Sequence, residues 1–123
     1  MTVFSVSCDS HEKTKFKTFQ KVGEIQRLDK QLDEVISPNA VIEVLSTGHK
    51  WSEGPIWYKK EQKLIYTDVG HQKIYQWTEK DSVTLYLDMK DEDLERPGPS
   101  ALLIDNDEKL VILQYGHGQV IKM

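Results

Sequence analysis

The sequence predicts an all-β fold of the propeller type, with about two blades in this chain and a short amphipathic helix before them. Three observations predict it. The first is an internal repeat. Lys63-Leu64-Ile65, Gly70-His71 and Lys73-Ile74 return as Lys109-Leu110-Val111, Gly116-His117 and Gln119-Val120, 46 residues on in each case (63 to 109, 70 to 116, 74 to 120). One four-stranded blade takes roughly 40 to 50 residues. The second is a run of short β-patterned segments with turn residues between them, the language of a sandwich, barrel or propeller. The third is length. A ring needs at least about four blades, about 184 residues at this period, and 123 are present. The chain therefore reads as the first part of a larger ring. A sandwich is the alternative, and the repeat selects the propeller.

Residues 1–22 are polar, with Phe4, Phe16 and Phe19 as their aromatic groups, and read as an N-terminal extension of the propeller portion at 23–123. Ile25, Leu28, Leu32, Val35 and Ile36 then fall at helical spacing, with Arg27, Lys30, Asp33 and Glu34 on the other faces. This predicts about three turns of amphipathic helix, stopped by Pro38, which restricts the residue before it and lacks an amide proton. Residues 40–45 are β-branched and apolar. Strands follow at 55–58, 63–69, 73–77 and 82–87, with a charged loop over 89–98. Segments 100–105, 109–115 and 118–123 replay the first three strands of the preceding unit. Such a unit leaves an open sheet edge, and unpaired edges invite another chain.

Composition narrows the function classes. The net charge of −4 and the lack of a basic patch with interleaved aromatics give no support to a nucleic-acid or anionic-membrane partner. No segment has the apolar length of a membrane span. The N-terminus lacks the basic and apolar regions of a signal peptide, so a cytoplasmic location is the expectation. Cys8 is the single cysteine, excludes an internal disulfide, and reads as an ordinary exposed thiol.

The strongest local candidate for chemistry is His49-Lys50-Trp51-Ser52-Glu53-Gly54-Pro55. A carboxylate followed by Gly-Pro reads as a turn just before the first inner strand, which would direct Glu53 toward the propeller axis. Hard cations such as Ca²⁺ gather carboxylate and amide oxygens from several segments. From spacing alone an exposed turn glutamate, between core tryptophans Trp51 and Trp57, is the better-supported reading. No self-contained catalytic set stands out. His11, His49, His71 and His117 lack the spacing of a zinc pair, and His71 and His117 occupy equivalent turns of the repeat, as structural turn residues would.

Residues 25–29, Leu32-Asp33, Trp51-Ser52-Glu53-Gly54-Pro55-Ile56-Trp57, Leu64-Ile65-Tyr66-Thr67-Asp68-Val69 and Lys73-Ile74-Tyr75-Gln76-Trp77 together resemble the start of proteins of the senescence marker protein (regucalcin), gluconolactonase and luciferin-regenerating-enzyme superfamily. The segment from Gly98-Pro99-Ser100-Ala101-Leu102 to Gln114-Tyr115-Gly116 resembles that family's second blade, so the likeness covers roughly 23–123. The resemblance implies a six-bladed propeller with a divalent metal, usually calcium, on its axis, and hydrolysis of lactones or related sugar-acid esters. It implies that Glu53 is the first metal ligand and that Ser100 stands near the substrate, where many members begin an Asn-Gly-Leu motif. Serine there keeps a donor and an acceptor. The family's remaining ligands, an asparagine and an aspartate, belong to later blades, and the expected base lies beyond the chain end. The mechanism implied is polarisation of the lactone carbonyl by the cation, with a carboxylate activating water.

Two functions follow as expectations. One is a fragment of a gluconolactonase-like, metal-dependent lactone hydrolase, inactive alone because one carboxylate cannot hold Ca²⁺. The other is a non-catalytic binding or assembly module that self-associates through its open sheet edge.

Overall fold

The structure, a computed structural model, describes residues 18–90 and 96–123. Cys8, most of the expected extension and the centre of the charged loop lie outside the described residues. Nine strands are present among the described residues: β1 (Gln20–Lys21), β2 (Glu43–Val44), β3 (Ser52–Tyr58), β4 (Lys63–Asp68), β5 (Lys73–Thr78), β6 (Ser82–Asp88), β7 (Pro99–Ile104), β8 (Leu110–Gln114) and β9 (Gln119–Lys122). They form a two-stranded ribbon β1-β2, a four-stranded sheet β3-β4-β5-β6 and a three-stranded sheet β7-β8-β9, every pair antiparallel. The two larger sheets are successive meanders, as the repeat requires.

The repeat is a repeat of backbone as well as of letters. β4 and β8 each run into a 3-10 turn, Val69–His71 and Tyr115–His117, which ends on a left-handed residue, Gln72 (φ 55°) and Gly118 (φ 61°). Gly70 and Gly116 lie where the chain entering each meander passes closest. A Cβ on Gly70 would meet the Lys50 Cβ at 2.6 Å, and one on Gly116 would meet the Arg96 Cβ at 2.8 Å. Only a hydrogen fits at such a crossing.

Side chains alternate across β4, and both faces of that strand are covered. On one face Ile65 and Thr67 meet the second sheet. Ile65 and Ile74 join Leu102, Leu110 and Ile112 in a shared core, with Ile56, Tyr58, Tyr86 and Ile104 packed around it. On the other face Leu64, Tyr66 and Asp68 meet the segment that leads from β2 to β3. Lys63 is buried at the end of β4. Its ammonium lies 4.6 Å from the centre of the Tyr86 ring and 2.7 Å from Glu61 Oε2, so its charge is matched as its stem is covered.

Three expectations are corrected. The amphipathic helix of about three turns reduces to one turn, α1 (Leu32–Val35), and its apolar stripe is only partly covered: Leu28 is 92% and Val35 81% exposed, while Ile25, Leu32 and Ile36 are half-buried. Asp29 explains where the turn starts, since its carboxylate accepts from the Gln31 amide at 2.8 Å. Arg27 explains where it stops, donating to the carbonyls of Ile36 and Ser37 at 3.2 and 2.5 Å. A stripe covered at only some of its positions does not hold three turns together. Trp51 and Trp57 are half exposed rather than core, because the face that carries Trp57 is covered only thinly. Glu53 lies inside a strand rather than in a preceding turn. β3 starts at Ser52 and passes Gly54 in the left-handed region (φ 54°) as a bulge between Glu53 and Ile56. The end of the polar extension is structured as well, with Val22 donating to the Ile42 carbonyl and Phe19 packing against Trp77.

Candidate functional site

The two predicted site residues, Glu53 and Ser100, come together through a third that the sequence did not single out. Thr67 is fully buried on β4, and its hydroxyl lies 3.0 Å from the Glu53 carbonyl and 3.1 Å from the Ser100 carbonyl. One small hydroxyl thus sets the first strand of one meander against the first strand of the next. Gly54 permits the approach. A Cβ there would stand 2.7 Å from the Ser100 carbonyl oxygen and 2.9 Å from the Ala101 Cα. The Glu-Gly-Pro sequence therefore has a packing reason. The glutamate sits where β3 and β7 converge, and the glycine lets them converge.

Glu53 and Ser100 are both half-buried. A glutamate carboxylate is the right donor for a hard cation, which takes 6–8 oxygens. The number falls short: among the described residues no group of three or more His, Cys, Asp or Glu side chains could hold a metal ion. The Glu53 and Ser100 carbonyls are already engaged by Thr67.

A second cluster lies on the opposite face of β4, built around Asp68. This carboxylate is fully buried and accepts from the Lys50 and Trp51 amides at 3.3 and 3.2 Å, from the His71 amide at 3.3 Å, and from two imidazoles. His71 Nδ1 lies 2.6 Å and His49 Nδ1 3.2 Å from Oδ2. Burial alone would raise its pKa, but these hydrogen bonds outweigh it and hold Asp68 at about 2. An ionised carboxylate only accepts, so both rings carry a proton on Nδ1. In the neutral ring His49 Nε2 is the acceptor, 2.8 Å from the Ser46 hydroxyl and 3.1 Å from the Tyr66 hydroxyl. Tyr66 and Tyr75 stack on each other, and both meet the His49 ring edge-on. Burial raises the Tyr66 pKa, so the phenol keeps its proton.

The link between His49, Asp68 and His71 is not legible in sequence, because 19 residues separate His49 from Asp68. The readable signal is Ser46-Thr47-Gly48-His49. Gly48 (φ 84°) turns the chain there and sets the hydroxyl and imidazole side by side. His71 does serve its turn, as its position in the repeat suggested, and it also shares the carboxylate with His49.

Comparison with known proteins agrees with this architecture. The profile of the SMP-30/gluconolactonase/LRE-like region matches residues 51–122. A gluconolactonase from Zymomonas mobilis is 24% identical over 109 residues, which cover 83% of this chain and 31% of the relative. A solved gluconolactonase structure from Xanthomonas campestris superimposes with a TM-score of 0.64 at 19% identity, over 86% of this chain and 32% of its own. That likeness speaks for the fold. The chain spans about a third of the length of both relatives. With the Glu-Gly-Pro bulge, the paired meanders and the profile match in agreement, the chain belongs to the SMP-30/gluconolactonase/LRE-like family.

Proposed function

We propose that this chain supplies the first part of a lactone-hydrolysing site on a six-bladed propeller, with Glu53 as one ligand to a divalent cation, calcium as the family resemblance implies, and Ser100 as a hydrogen-bonding group for the substrate. The observation that supports this reading is the Thr67 hydroxyl shared between the Glu53 and Ser100 carbonyls, which brings both positions to one point of two adjacent strands. The substrate class is a lactone or related sugar-acid ester, in line with the gluconolactonase relatives. Bound calcium would supply charge stabilisation at the lactone carbonyl. Glu53 alone cannot fill a calcium shell, so the chain by itself is expected to show no lactone turnover above buffer.

A chimera tests the reading. The aligned third of the Zymomonas mobilis gluconolactonase is replaced by this chain, and gluconolactone hydrolysis is followed with calcium and with chelator. The expected result is calcium-dependent turnover that falls about hundredfold or more in Glu53→Gln. A folded chimera indifferent to that substitution contradicts the assignment, and Glu53-dependent turnover by the chain alone contradicts the incompleteness.

A second reading is favoured by the outer edge of β9, which pairs with no strand among the described residues and carries Val120 at 66% exposure. Under it the chain assembles with copies of itself without catalysis. Light scattering after size exclusion decides, a discrete oligomer supporting this reading and a monomer opposing it.

A further inference from the structure

We propose that Ser46, His49 and Asp68 form a nucleophilic acyl-transfer site, separate from the Glu53–Ser100 position, that accepts small uncharged carboxylic esters. Ser46 Oγ, His49 Nε2 and Nδ1, and Asp68 Oδ2 are linked in series at 2.8 and 3.2 Å, the order in which a hydroxyl nucleophile, its base and the carboxylate that orients the base must stand. The line opens on a cavity of about 310 Å³ whose walls include Val44, Leu45, Leu64, Ser46, His49 and Tyr66. Val44, Leu45 and Leu64 line it beside the reacting groups, Ser52 and Glu43, and the Glu43 carboxylate disfavours an anion, so it suits an uncharged substrate.

The proton inventory supports the assignment. Asp68 is held ionised by its amide and imidazole donors, so it fixes the His49 proton on Nδ1 and leaves Nε2 free to take another. His71 shares the carboxylate, which keeps Asp68 in place when His49 moves. Ser46 Oγ attacks the ester carbonyl carbon as its proton passes to His49 Nε2. The Tyr66 hydroxyl, 3.1 Å from Nε2, turns to donate to the developing oxyanion. The alkoxide leaves as the carbonyl re-forms, and takes the proton from Nε2. Water then attacks the acyl-Ser46 carbonyl, gives its proton to Nε2, and the acid departs as Ser46 recovers that proton. No metal enters any step.

The test is labelling of the 123-residue chain with a fluorophosphonate, mapped by peptide mass spectrometry, together with p-nitrophenyl acetate hydrolysis in excess EDTA. Expected are a single adduct on Ser46, hydrolysis unaffected by the chelator, loss of both in Ser46→Ala, and a drop of about hundredfold in His49→Gln. Tyr66→Phe keeps the ring stack and is expected to slow hydrolysis about tenfold while the adduct still forms. Circular dichroism confirms that each variant is folded. A folded wild-type chain with no adduct on Ser46 overturns the proposal, and so does equal labelling in His49→Gln. Hydrolysis abolished by EDTA assigns the chemistry to the Glu53 position instead and also overturns it.

Discussion

The two meanders share a backbone and differ at a fully buried polar position. Asp68 ends β4 in the first, and Gln114 ends β8 in the second, 46 residues on. Both strands pass into the same 3-10 turn, and both turns close on a left-handed residue. Yet Asp68 gathers three amides and two imidazoles, while the Gln114 amide accepts from the Gln119 side chain at 2.6 Å. The fold of a meander therefore does not need the carboxylate. What it adds is a fixed path for residues 46–51, the segment that ends at β3 and hence at Glu53. The first meander carries the buried carboxylate and its imidazoles, and the second supplies the neighbouring strand.

The largest break in this comparison is expected from Asp68→Asn. It removes the charge that two imidazoles and three amides share, and a loss of about 3 kcal/mol is expected in urea unfolding. Gln114→Ala, at the equivalent position, is expected to move stability by less than about 0.5 kcal/mol. Equal effects would mean that the two positions play one role.

Next is a pair of glycines. Gly54→Ala combines a left-handed backbone with a contact at 2.7 Å, and about 2–3 kcal/mol is expected. Gly118→Ala has the same backbone sign and open space around it, and about 1 kcal/mol is expected. Thermal melts of both separate backbone strain from strand-to-strand approach.

Acid sharpens the contrast further. The Asp68 pKa lies at about 2, below its ordinary value of 3.8, so its contribution is fully present above pH 4 and is lost as pH falls toward 2. The shift corresponds to about 2 kcal/mol. Unfolding free energy should decline over that window in the wild type and decline less in Asp68→Asn. The smallest effect concerns the β3–β4 turn, where Gln62 is left-handed (φ 50°). Asparagine tolerates that region better but gives up the Gln62 Nε2 bond to the Lys59 carbonyl at 2.6 Å, so Gln62→Asn is expected to change stability by less than about 0.5 kcal/mol.

The strands were legible because β-branched residues and turn residues alternate along 52–88, and the second meander because its letters repeat those of the first. The helix was misread because period alone does not say whether a stripe has a partner, and the side chains of Asp29 and Arg27 intervene locally. Glu53 was legible from the Glu-Gly-Pro motif and the family likeness, and Ser100 from the likeness alone. Their juxtaposition was not legible, since it depends on Thr67 reaching across to another sheet. The Ser46–His49–Asp68 line was hidden for the same reason: side chains far apart in sequence meet only after β4 is in place.

The central claim is that Thr67 sets β3 against β7 so that Glu53 and Ser100 work as one site. Lactone hydrolysis by the gluconolactonase chimera, compared between Thr67→Ser and Thr67→Val, tests it most directly. Thr67→Ser keeps the hydroxyl and is expected to retain turnover within about threefold, while Thr67→Val, alike in shape, is expected to lose about tenfold or more. A folded Thr67→Val chimera with undiminished turnover would contradict the account.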